Sequence, residues 1–181
     1  GQTDIFDHLI VATQANQALD LLSSPSGAEC KMLSAFSYED VSIIVHKDPS
    51  LMPLNTKEWS HINLIISPDR LSAMCSVWMN RFNQDWEISQ PIIQTINPLI
   101  EPLPDTILSR YKLQRPVVNE QSLAGLNALK QLHGQPDRRI WFCGSYAAEG
   151  VPLLESAVLS SLRTADRLSI QLPENMMKMN I

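Results

Sequence analysis

The sequence predicts an α+β fold, a largely antiparallel sheet of about five strands with flanking helices, plus a strand and helix at each end of the chain that belong to a separate layer. Three observations carry this expectation. Five strand-like runs crowd the middle of the chain, separated by turn-rich connectors such as SPDR and EPLPD. Connections this short favour antiparallel neighbours, because a parallel crossover needs about a dozen residues. The two ends instead pair a short apolar run with a helical period.

Taken in order, IFDHLIVAT (5–13) is long enough for a buried strand, and QANQALDLL follows with Ala15, Ala18, Leu19 and Leu22 at helical spacing. SSPSG breaks the chain, and AECKMLSAF offers a second short helix. The strand runs are VSIIVH (41–46), HINLIIS (61–67), LSAMCSVWMNRF (71–82), PIIQTIN (91–97) and TILSRYKL (106–113), a meander in sequence order. Both alternate sets of 72–82 are largely apolar, with Met74, Trp78 and Phe82 on one face and Ala73, Cys75, Val77 and Met79 on the other, which suits a central strand covered on both sides. NEQSLAGLNALKQLHG then opens on the capping residue Asn119, carries Leu123, Leu126, Leu129 and Leu132 as a stripe, and stops at Gly134.

RRIWFCG returns to strand, and PLLESAVLSSLRTADRL to helix. Pro152 suits the first helical position, and Leu154, Val158, Ser161, Leu162, Ala165 and Leu168 form the expected inward face. Four segments result: residues 1–23 as strand and helix, 24–134 as a sheet with helices, 135–170 as a closing strand and helix, and 171–181 as a loose tail.

Composition bounds the function. The 181 residues suffice for one substantial core or two small ones. With 14 basic and 19 acidic residues the net charge is −5, and no basic run exceeds Arg138-Arg139, which argues against a nucleic-acid partner. No stretch approaches the roughly 20 apolar residues of a membrane span. Together these features predict a cytoplasmic protein, and the start at GQTD, without methionine, suggests a segment of a longer chain. Cys30, Cys75 and Cys143 are odd in number and scattered, as are the four histidines, so reduced core thiols are expected and no metal site. The six glycines contain no Gly-x-Gly, so neither a dinucleotide fingerprint nor a P-loop can be built from this chain.

The strand stopping at Gly144 and the helix beyond Gly150 frame a possible ligand position, since a helix N-terminus offers unpaired N–H groups and partial positive charge. Small residues, Ser156, Ala157, Ser160 and Ser161, allow close approach there. A surface helix packed on a sheet by its leucines is the plainer reading of the same residues.

RRIWFCGSYAAEGVPLLESAVLSSLRTADRL resembles the C-terminal flavin-contacting segment of the flavin-containing amine oxidase family, and FDHLIVATQANQALDLL resembles the segment where that family's chain leaves the cofactor domain. SLMP, VWMNRF and TINP are similar to the substrate-domain sheet of a bacterial branch of FAD-dependent oxidoreductases. The resemblance implies that residues 1–23 and 135–170 belong to the FAD-binding layer and 24–134 to the substrate domain. It implies FAD as cofactor, with Gly144 and Ser145 beside the ribityl and pyrophosphate region, Pro152, Leu153 and Leu154 at the pyrimidine edge of the isoalloxazine, and Thr13 near the cofactor through its backbone. It further implies a small-molecule substrate, and a missing N-terminal FAD-binding segment of the same protein that carries the Gly-rich turn. Met74, Trp78 and Asn80 are candidates for the substrate pocket, although aromatic residues on strands usually fill core. No residue is assigned a catalytic role.

Two other function classes compete. Cys143-Gly144-Ser145 superficially resembles a hydrolase nucleophile turn, but Cys143 and Ala147 are not the flanking glycines of that elbow and the helix starts too late. A non-catalytic binding module presenting its antiparallel sheet is the other alternative.

Overall fold

Residues 1–82 and 88–170 are described by a computed structural model, and the chain divides into two compact units: Gly1–Glu39 with Arg115–Ile181, and Asp40–Gln114. The fold is α+β, as its sequence predicts. The expected tail 171–181, and residues 83–87 between the strand runs 71–82 and 91–97, lie outside the described residues.

The first unit begins with β1 (Leu9–Val11) and α1 (Ala15–Leu21), followed by α2 (Gly27–Leu33). After the second unit come α3 (Glu120–His133), β7 (Ile140–Phe142) and α4 (Leu154–Arg167). Strands β1 and β7 run parallel, with Leu9 opposite Ile140 and Val11 opposite Phe142. The strand at the N-terminus is shorter than its apolar run: Leu9 and Ile10 are exposed and Val11 alone is buried. Parallel sheets are normally covered on both faces, so this two-stranded layer is narrow and open for its kind.

The core of this unit joins Val11, Ala15 and Ala18 to Met32, Leu33 and Phe36, and to Leu126, Leu129, Leu132 and Phe142. Helices α2 and α3, which their sequence position groups with the sheet segment, thus share a core with the terminal strands and helices. The caps explain where these helices start. Ser26 accepts from the Glu29 N–H while Glu29 accepts from the Ser26 N–H, and Asn119 and Ser122 exchange bonds in the same way at α3. On α3, Leu123 is exposed and Gly125 is buried instead, since a Cβ there would lie 2.8 Å from that of Ala35 and 3.2 Å from the Phe36 ring.

The inward face of α4 differs from the expected leucine stripe. Its buried residues are Ser156, Ser160 and Thr164, spaced four apart, whereas Leu154 and Ser161 are exposed. These hydroxyls can be buried because each is satisfied locally: Ser156 donates to the Val151 carbonyl, Ser160 bonds both ways with the Gly144 peptide, and Thr164 donates to the Ser160 carbonyl. A small-residue face lets the helix approach the loop after β7 more closely than leucines would. The helix also begins at Leu154, so Pro152 precedes the cap residue Leu153 rather than opening the first turn.

The second unit carries the five-stranded sheet. Its strands are β2 (Tyr38–His46), β3 (Ile62–Ile66), β4 (Ala73–Trp78), β5 (Ile93–Ile96) and β6 (Ile107–Pro116), all at expected positions. Their order is β3-β4-β5-β2-β6, so three strands form a meander while β2 lies between β5 and β6. The expected simple meander fails because residues 47–61, with two 3₁₀ turns, form a connection long enough to cross the sheet. The pairings β2–β5, β4–β5 and β3–β4 are antiparallel.

One face of this sheet is buried and holds a polar chain among its apolar residues. His46, Thr95 and Ser76 follow Ile44, Ile93 and Met74 in the two-residue alternation of their strands, and all six are buried. The Asp48 N–H donates to His46 Nδ1 at 3.1 Å, so the ring proton sits on Nε2 and is donated to Thr95 Oγ1 at 2.8 Å. The Thr95 hydroxyl is left to donate to Ser76 Oγ, and Ser76 to the Leu51 carbonyl, each at 2.8 Å. Burial holds the His46 pKa below its ordinary value, partly offset by Asp48. The opposite face leaves Ile62, Leu64 and Ile66 of β3 exposed.

Candidate functional site

The C-terminal ends of the parallel strands β1 and β7 open on one cavity of about 590 Å³. Each side of it continues one strand. Ala12, Thr13, Gln14 and Gln17 follow β1 into α1, and Gly144, Ser145 and Tyr146 follow β7; Pro152, Leu153, Leu154 and Ala157 come from the start of α4. Crevices outside the carboxyl ends of parallel strands are where α/β layers place ligands, and this volume is that of a small-molecule site. All six residues read from the sequence as cofactor contacts, Thr13, Gly144, Ser145, Pro152, Leu153 and Leu154, line this one cavity.

Gly144 sets the shape of the loop. Its φ of 148° lies where residues with a side chain are strained, and a Cβ would sit 3.1 Å from the Tyr146 ring and 3.4 Å from the Thr13 carbonyl oxygen. The backbone of the β7 loop can therefore come close to that of the β1 loop. Ser160 accepts from the Gly144 N–H at 2.9 Å, which fixes the loop to the first turns of α4. A 3₁₀ turn, Ser145–Ala147, follows and buries Tyr146 against Phe36, with ring centroids 4.8 Å apart. Among the described residues the buried Tyr146 hydroxyl has no hydrogen-bond partner, and burial, with Tyr38 and Cys143 nearby, pushes its pKa upward. The phenol stays neutral at any physiological pH.

The N-terminus of α4 presents its first turn at the cavity. The cap position is Leu153, whose side chain has no acceptor for the first-turn N–H groups, while its own N–H is taken by the Val151 carbonyl and Ser156 Oγ. The positive end of the helix dipole thus meets a cavity whose nearest side chains are apolar, with Leu154 84% exposed. Such a wall suits a flat ring that has an apolar face and an electron-rich edge.

The expected substrate residues separate. Trp78 and Asn80 share a cavity of about 350 Å³ in the second unit with Thr56, Trp59 and Pro91. Met74 does not join them: it is buried in the packed face of β4, where its sulfur accepts from the Leu99 N–H. The strand's alternation puts Met74 with Ser76 under the sheet, whereas Trp78 ends the strand. Asn80 is engaged in holding the chain, accepting from the Ile92 N–H and donating to the Ile88 and Gln90 carbonyls. Trp59 packs edge-on to Trp78, Arg81 covers Trp78, and the Trp78 indole N–H is buried without a partner among the described residues.

Sequence reading missed two charged clusters in the first unit. Arg138 and Glu29 form a buried ion pair at 2.6 Å, their side chains 11% and 7% exposed. His133, Lys130, Arg163 and Arg167 surround a second cavity, described below. Neither has a local motif, because each joins residues from separate helices and strands. Among the described residues no helix is long and apolar enough to cross a membrane. In comparisons with known proteins, no family model matches this chain and no curated protein matches it.

Proposed function

We propose that this chain forms part of an FAD-dependent oxidoreductase of the amine oxidase type, shaping the substrate pocket and the pyrimidine side of the flavin site. The observation that supports the reading is the convergence of Thr13, Gly144, Ser145, Pro152, Leu153 and Leu154 on one cavity at the ends of two parallel strands. The residues fit the group. Gly144 lets the β7 loop close up on the Thr13 carbonyl so that both loops line the cavity, Leu153 and Leu154 offer apolar contact, and the first turn of α4, which no cap side chain covers, offers N–H donors to the pyrimidine oxygens. Bound FAD supplies the capacity to accept hydride from an amine or other C–H donor. The chain's own part is to orient the ring and to favour negative charge along its pyrimidine edge. Trp78 and Asn80, on the sheet unit, are the residues proposed to meet the small-molecule substrate.

The same reading names the missing partner. A parallel layer of two strands with Leu9 and Ile10 exposed can take further strands along β1, and a Gly-x-Gly-x-x-Gly turn on such a segment would hold the pyrophosphate. FAD affinity in this chain alone is then weak or absent. We place the protein in the cytoplasm, in keeping with Cys30, Cys75 and Cys143 as free thiols. Purified together with a segment bearing that turn, the protein should show a flavin band near about 450 nm, while the 181-residue chain is colourless. A colourless longer protein that also ignores added FAD would favour a non-catalytic binding module.

A further inference from the structure

The second cavity of the first unit has the chemistry of an oxyanion site. It encloses about 290 Å³ between α3, β7 and α4. Its floor is buried and largely spent: Phe142, Ser160 and Thr164 pack there, and His133 Nε2 accepts from the Phe142 N–H at 3.1 Å. Its walls carry Lys130, Arg163 and Arg167, and among the described residues that line it the one carboxylate is Glu149.

The pairing within this group is unbalanced. Lys130 and Arg163 both bond to Glu149, Arg163 at 2.8 Å, and Arg167 donates to the His133 carbonyl at the end of α3 at 2.9 Å. Three cations thus meet one carboxylate in a chain whose net charge is −5. Two cations drawn to the same carboxylate repel each other, and a more highly charged anion in its place would relieve that repulsion further. Glu149 belongs to the loop between β7 and α4 and its side chain is about half exposed, so it can move aside. Guanidinium groups match tetrahedral oxyanions through paired N–H donors.

We propose that this cavity binds a small phosphate-class oxyanion, held by Arg163, Arg167 and Lys130, with Glu149 as the resident group that the ligand displaces. The site is independent of the flavin reading and does not share its residues. Inorganic phosphate, titrated into the 181-residue chain at constant ionic strength and followed by nuclear magnetic resonance, tests it. Saturable shifts are expected at Lys130, Glu149, Arg163 and Arg167, with acetate binding at least about tenfold more weakly. Arg163→Gln should weaken phosphate about tenfold, as loss of one charge-assisted hydrogen bond does. Glu149→Gln should tighten it about threefold by removing the competitor. Arg115→Gln, which breaks the exposed Arg115–Glu39 pair, should change nothing. Shifts that do not saturate, acetate binding equal to phosphate, or weaker binding in Glu149→Gln would overturn the proposal, and the last arm holds even if Arg163→Gln fails to fold.

Discussion

Glu29→Ala is expected to destabilise the first unit by about 3–5 kcal/mol, the cost of leaving a buried cation without its partner. The carboxylate has two tasks. One oxygen accepts from the Ser26 N–H at 2.7 Å and the Ser26 hydroxyl at 2.8 Å, closing the cap of α2, and the other accepts from Arg138 at 2.6 Å. Burial pushes the Glu29 pKa up, but these bonds outweigh it and hold the carboxyl below its usual range. Arg138 in turn donates to the Ile140 carbonyl at the start of β7 and lies over the Phe142 ring. Loss of Glu29 therefore strands a charge beneath the strand that leads to Gly144. The exposed pair Arg115–Glu39 provides the contrast, and Glu39→Ala should cost less than about 1 kcal/mol. Urea denaturation measures both. Adding Arg138→Met to Glu29→Ala should recover part of the loss, because the stranded charge is gone. Equal, small costs for Glu29→Ala and Glu39→Ala would show that the buried pair is not a support of this unit.

Acidification from pH 7 to pH 4 should cost on the order of 3 kcal/mol through His133 alone. Burial, then the charges of Arg167 and Arg138, lower its pKa from 6.5 to about 4. The folded state thus holds the ring neutral while the unfolded chain takes up a proton below about 6.5. Stability is fully present above that value and falls as the pH drops toward 4. His46, also lowered, loses stability in the same direction. Glu149, held at about 2 by Lys130 and Arg163, adds a further loss below its ordinary 4.5. His133→Gln keeps an acceptor available to the Phe142 N–H and removes the titration. Urea midpoints measured from pH 7 to pH 4 should therefore fall less steeply in that variant than in the parent chain. Identical slopes would mean that His133 is not buried as a neutral ring.

Much of the architecture was legible in local pattern. The five sheet strands lie at their apolar runs, the Asn119 cap and the Gly134 stop bound α3, and the closing strand and helix frame a cavity that the first strand's loop completes. What local pattern does not carry is partner choice. The position of β2 between β5 and β6 depends on a crossover whose length permits more than one order. On α4 hydrophobicity points to a face of which Val158, Leu162, Ala165 and Leu168 are half-buried and Leu154 is exposed, whereas close packing on the Gly144 loop buries Ser156, Ser160 and Thr164. Alternation groups Met74 with Trp78, but Met74 is buried while Trp78, at the strand's end, is half-buried. The His46–Thr95–Ser76 chain did leave a signal: each polar residue falls in phase with a buried apolar one. That phase marks a group that must be satisfied inside, although its partners lie on other strands.

The claim that the α4 terminus meets the electron-rich edge of a bound flavin is tested most directly by a reduction potential. In the FAD-loaded protein, Leu154→Glu would set a carboxylate at that edge, in place of a side chain that lines the cavity. The account predicts a potential lower than the parent's by on the order of 30 mV, equivalent to about 1.4 kcal/mol for a two-electron couple, with the flavin still bound. A potential that does not move would place the ring's edge elsewhere and contradict the assignment.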